Sequence, residues 1–183
     1  FIGAEIVTLN PKLKSAQIEA FFKFTDAEYI FTDDEGAENL RFSAIPFQNV
    51  IEAAKSQIKK KDTVLQISQK PEYNSPYGVD TPFLITLSSG STGEPKPVIV
   101  TEKNKIDRTA QAVDLYGISS HDVILNASPF FHSLGQRLTF VPILTGATLV
   151  LLERFSVSRW IKSVESFGVT FTIAVSSHLH ALV

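Results

Sequence analysis

The sequence predicts an α/β fold, with strands and helices alternating in largely parallel sheets. Two observations carry this reading. Short apolar runs alternate with segments of helical periodicity, and in the second half the strands are spaced widely enough for a helix to cross between parallel neighbours. With 44% apolar and 20% charged side chains, the 183 residues lie in the globular range. A chain of this length buries a sizeable core without metal or disulfide staples.

Taken in order, Ile6, Val7 and Leu9 predict a strand that Asn10-Pro11 ends. Leu13, Ile18, Phe21 and Phe22 fall near helical spacing, and Tyr29-Ile30-Phe31 reads as a second strand. Asp33 to Gly36 is a turn, since consecutive acids before a glycine are more often a bend than a catalytic pair. Asn49 to Ile58 is expected to be a helix, Lys59 to Asp62 a solvated corner, and Val64 to Ile67 a strand. Three prolines between Ser68 and Pro82 mark a loop.

Phe83 to Leu87 and Val98 to Val100 are strand-like around a polar loop. Ile106, Ala110 and Val113 predict the apolar face of a helix that stops at Gly117, and Val123 to Leu125 a strand after it. Leu149 to Leu152 is apolar on both faces, as a central strand would be. Ser156 can cap a helix whose stripe is Val157, Trp160, Ile161, Val164 and Phe167, with Gly168 as its stop. Phe171 to Val175 then predicts a strand, and Ser176 to Val183 the opening of another helix. Both ends look cut from a longer fold, so the chain is expected to be part of a larger domain. Residues 1–80 would form an α/β segment before the polar loop, and 81–183 that loop and the α/β segment after it.

Seventeen Lys and Arg against nineteen Asp and Glu leave a net charge of −2, which gives no electrostatic case for nucleic acid or an anionic membrane. Cysteine is absent, which excludes thiol catalysis and cysteine-ligated zinc and suits the cytoplasm or another reducing compartment. The uncharged stretch between Arg137 and Glu153 is short for a bilayer and is broken by Pro142 and Gly146, so no membrane span is expected. His178 and His180 would share one face of a strand, but no third ligand lies near them in sequence. His121, beside Asp122, reads as a solvated turn.

The segment that carries chemistry is Leu87 to Pro97, LSSGSTGEPKP. Ser88, Ser89, Ser91 and Thr92 supply hydroxyls, while Gly90 and Gly93 let the backbone turn tightly and approach a ligand. Lys96 adds a positive charge behind the stiffening Pro95. Amides of a glycine-rich turn, hydroxyls and an ammonium together complement phosphate oxygens. The glycine spacing and Pro97 after Lys96 exclude the P-loop of nucleoside triphosphatases. The dinucleotide fingerprint and the G-x-S-x-G nucleophile elbow are missing too.

In its order of residues the segment resembles the phosphate-loop signature of the adenylate-forming superfamily, through Ser88, Ser89, Gly90, Ser91, Thr92, Gly93, Pro95 and Lys96. That superfamily comprises acyl-CoA synthetases, peptide-synthetase adenylation domains and firefly-type luciferases. It departs at Pro97, where the family has glycine, and at Glu102, where histidine is common. PFFHSLG, Pro129 to Gly135, resembles the second core motif, and GAEIVTLNPKL, YIFTD and GATLVLLERFS resemble flanking family segments.

The resemblance implies ATP-dependent activation of a carboxylic acid by a longer parent, an acyl- or aryl-CoA synthetase using ATP, Mg2+ and coenzyme A. Ser88, Ser89, Gly90, Ser91, Thr92, Gly93 and Lys96 would hold the ATP phosphates, with Lys96 also stabilising charge on the leaving pyrophosphate. Phe131 and His132 would line the acid's pocket; for His132 the rival is a satisfied core or boundary histidine. This stretch alone would be inactive, because the ribose aspartate, the hinge and the C-terminal catalytic lysine of the family lie outside it. The rival readings are an amino-acid-activating domain, a non-catalytic nucleotide-binding or scaffold module, and a serine hydrolase using the Ser-rich loop with His132.

Overall fold

The structure, a computed structural model, describes residues 5–25, 27, 30–32, 44–46, 78, 80–88 and 96–183. The first elements are β1 (Ile6–Val7), α1 (Ser15–Thr25), β2 (Ile30–Thr32), β3 (Ala44–Pro46), β4 (Pro82–Ser88) and β5 (Lys96–Thr101). After them come α2 (Glu102–Tyr116), β6 (Val123–Asn126), α3 (Ser133–Thr145) and β7 (Thr148–Leu151). The last are α4 (Val157–Phe167), β8 (Phe171–Thr172) and α5 (Ser176–Leu182). Two compact units divide the chain, residues 9–72 and residues 1–8 with 73–183.

In the smaller unit, α1 buries Phe21 and Phe22 from the expected apolar set. β2 pairs in parallel with β3, a strand the sequence reading does not contain, in the register Ile30 opposite Ala44. The turn at Asp33 to Gly36, the helix at Asn49 to Ile58, the corner at Lys59 to Asp62 and the strand at Val64 to Ile67 lie outside the described residues.

The larger unit holds two sheets. In the first, of order β1-β4-β5, β1 runs parallel to β4. β4 and β5 are antiparallel, from Pro82 opposite Thr101 to Ser88 opposite Lys96. Residues 89–95 are too few for a crossover, so the chain must return antiparallel here, within an otherwise parallel pattern. The second sheet, of order β7-β6-β8, is parallel throughout, with Val123 opposite Thr148 and Ile124 opposite Phe171.

β6 is its central strand, and the strand period of two sends its neighbours to opposite faces. Ile124 joins Ala112, Ile118, Leu138 and Val141 in a core with α2 and α3. Leu125 joins Ala127, Val150 and Trp160 in a core on the α4 side. Helices therefore cover both faces, as parallel strands require.

Four expectations need correction. β7, expected to be central, lies at an edge among the described residues, and its Leu151 is exposed. The strand after Thr170 stops at Thr172, because β8 matches β6 only through Ile124 and Leu125. In α4, Trp160 is buried, whereas Ile161 and Phe167 at the flanks of the stripe are exposed. In α2 the buried positions are Glu102, Lys105, Thr109 and Ala112, while Ile106, Ala110 and Val113 are half-buried. The face that α2 turns inward is thus one residue ahead of its apolar stripe.

Candidate active site

The polar loop is the connection of a β-hairpin. Ser88 ends β4 directly opposite Lys96, which opens β5, so residues 89–95 leave from one end of the β4–β5 pair. Ser89, Gly90, Ser91, Thr92 and Gly93 lie outside the described residues, as does the side chain of Ser88. Lys96 is exposed at the mouth of the hairpin. Pro97 falls opposite Leu87 on β5, the edge strand among the described residues, where a missing N–H is tolerated best.

At its other end β5 runs straight into α2. Thr101 caps that helix, its Oγ1 accepting from the N–H of Asn104 (3.2 Å). Glu102, the departure from the family pattern, is 4% exposed, and its Oε1 has no hydrogen-bond partner. Its backbone N–H donates to the carbonyl of Thr81 (3.1 Å), which ties α2 to the start of β4.

PFFHSLG forms the turn from β6 into α3. His132 is its N-cap residue, exposed and without a side-chain capping bond. It is therefore not a satisfied core histidine. Phe131 is half-buried, with its ring centroid 4.3 Å from that of His132. The structure thus keeps Phe131 and His132 together on the loop before α3.

Gly135 explains the motif's last position. A Cβ there would lie 2.1 Å from the carbonyl oxygen of Pro129 and 2.6 Å from that of Ser128, so only glycine lets the first turn of α3 close on its own loop. Asn126, fully buried at the end of β6, locks the same turn. Its Nδ2 donates to the carbonyl of Gly135 (2.9 Å) and to Thr139 Oγ1 (3.1 Å), and its Oδ1 accepts from the N–H of Ser128 (2.9 Å). Phe140 on α3 then meets Phe83 of β4 edge-on at 5.8 Å and Phe130 at 6.0 Å, joining the loop to the hairpin strand.

Sequence reasoning missed the polar cluster behind this loop. Lys105 on α2 is 9% exposed; its Nζ donates to Gln136 Oε1 (2.9 Å) and lies 4.5 Å from the centre of the Phe140 ring. Burial, with Arg108 and Arg137 nearby, lowers the Lys105 ammonium to about 8. The available signal was the series Lys105, Thr109, Ala112, which breaks an apolar reading at i, i+4 and i+7.

His178 and His180 sit on α5, a helix, where residues two apart do not share a face. His178 stacks on Phe155 at 4.0 Å, and desolvation lowers its pKa. Asp122 beside His121 accepts from the N–H of Ser119 (2.7 Å) and from Thr170 Oγ1 (2.8 Å), which closes the turn before β6. Among the described residues, no three His, Asp or Glu side chains converge on one point, and no helix is long and apolar enough to cross a membrane.

Residues 1–183 match the family described as AMP-binding enzyme. The chain is 31% identical over 186 residues to steroid-22-oyl-CoA synthetase of Rhodococcus jostii, covering 97% of this chain and 32% of that protein. It is 26% identical over 185 residues to 2-succinylbenzoate–CoA ligase of Bacillus licheniformis, covering 99% of this chain and 36% of that one. O-succinylbenzoate coenzyme A synthetase of Bacillus subtilis, solved with ATP and a magnesium ion, superposes with a TM-score of 0.79 at 25% identity, over 97% of this chain and 35% of that one. The chain therefore spans about a third of the length of these relatives.

Proposed function

The chain belongs to the AMP-binding enzyme family, and from that premise we propose that the full-length protein is an AMP-forming acid–thiol ligase. A carboxylate oxygen attacks the α-phosphorus of ATP, the bond to the β-phosphate breaks, and pyrophosphate leaves an acyl-adenylate behind. The thiol of coenzyme A then attacks the acyl carbon and expels AMP.

The observation that carries this reading is the hairpin, which opens residues 89–95 between Ser88 and Lys96 at one end of the β4–β5 pair. Hydroxyls of Ser88, Ser89, Ser91 and Thr92, amides at Gly90 and Gly93 and the Lys96 ammonium hold the β- and γ-phosphates. As charge develops on the leaving pyrophosphate, Lys96 stabilises it more strongly than in the ground state, which lowers the barrier. Phe131 and His132 flank the acid. Magnesium entering with ATP would neutralise phosphate charge. A free coenzyme A thiol as second substrate suits the cytoplasm or another reducing compartment as the setting.

Carboxylate-dependent ATP–pyrophosphate exchange by the full-length protein tests the proposal. Exchange is expected with an acyl or aryl acid. Folded protein that exchanges with no fatty, aromatic or dicarboxylic acid would overturn the ligase reading.

A further inference from the structure

We infer that a cavity between α2 and α3 is an anion subsite, and that the acid this protein activates carries a second carboxylate to fill it. The cavity is about 30 Å³, room for a carboxylate in place of a water or two. Three cations, Lys105, Arg108 and Arg137, line it, and among the described residues no acid does. Like charges gathered at a partly enclosed site repel one another, and a water cannot neutralise them.

A second observation points the same way. Gln136, 3% exposed, also lines the cavity. Its Oε1 is taken by Lys105, while its Nε2 is buried without an acceptor. An unpaired buried donor costs about 1–3 kcal/mol, so this amide beside the cavity favours an acceptor over a further donor. Ser133 adds a hydroxyl and opens the first turn of α3, where the helix dipole favours negative charge.

Position separates this cavity from the phosphate loop and ties it to the acid. Val100 lines it, four residues along β5 from Lys96, which at strand rise is about 13 Å. Ser133 follows His132 directly, so a molecule lying along Phe131 and His132 reaches the cavity with its far end. The direction of the substrate rests on the ligase reading; the preference for an anion does not. A phosphate of coenzyme A offers the same chemistry, and the experiment separates the two sources.

Calorimetric binding to the full-length protein without ATP would compare α,ω-dicarboxylates of four to ten carbons and phthalate with their monomethyl esters, and coenzyme A with its 3′-dephospho form. At least one diacid is expected to bind about tenfold or more tightly than its ester. Arg137→Gln, at a half-buried position, and Arg108→Gln, at an exposed one, should each shrink that ratio about tenfold, the loss of one charge-assisted hydrogen bond. A ratio near one throughout, or a ratio that survives both substitutions, overturns the inference. So does a dependence on Arg108 and Arg137 seen only in the coenzyme A pair. Exchange assays on the same acids keep the two readings apart. A diacid preference without exchange would sink the ligase reading alone, and exchange without that preference would sink the subsite alone.

Discussion

Gly135 shows how one residue shapes the site. Its missing Cβ allows the α3 turn to rest on the Ser128 and Pro129 carbonyls, so Gly135→Ala must push the loop bearing Phe131 and His132 outward. Thermal unfolding should show a loss of about 1–3 kcal/mol, typical of overpacking, and the KM for the acid should rise. Unchanged stability and KM would mean that the turn opens freely. Lys105 makes a second prediction, in the pH dependence of stability. Its folded pKa, about 8, lies below its ordinary value, so between these values the unfolded chain binds the extra proton and stability rises with pH through that window. Urea unfolding from pH 7.5 to 10.5 should show that rise in the native protein and its absence in Lys105→Met. Equal slopes in the two proteins would contradict the burial of a charged ammonium.

The elements differ in how far local chemistry announces them. α4 is legible because its signals agree: Ser156 Oγ accepts from the N–H of Arg159, Trp160 and Val164 face the core, and Gly168 stops the helix at φ 61°. Ser156→Ala should cost about 1 kcal/mol in chemical denaturation, and a wild-type midpoint would show the cap to be idle. α3 announces nothing. Gly135 and Pro142 interrupt it, β-branched residues dilute it, and Ile143 and Leu144 are exposed beside buried Leu138 and Val141, so no stripe forms. Tertiary packing on β6 makes it a helix. The inward face of α2 was misread for the opposite reason: polar Lys105 and Thr109 are buried there because the helix faces a cavity, and periodicity registers only greasy faces. The three-residue β3 is too short for an alternation to register.

At the scale of the molecule, the resemblance to a phosphate loop was legible because it depends on an ordered string of residue types. The cavity was not, because its cations come from two helices whose approach is set by packing alone. The hairpin, the loop before α3 and the cavity all belong to the larger unit; the β5–α2 segment starts at Lys96 and passes Lys105, and α3 supplies Ser133, Gln136 and Arg137 to the cavity. In the proposed function the hairpin grips the ATP phosphates through Lys96. Lys96→Ala in the full-length protein, assayed by ATP–pyrophosphate exchange with a saturating acid, tests it most directly. We expect a fall of about ten- to a hundredfold in kcat/KM for ATP, the worth of one hydrogen bond to a charged group, with an unaltered melting temperature. Exchange at the wild-type rate would contradict it.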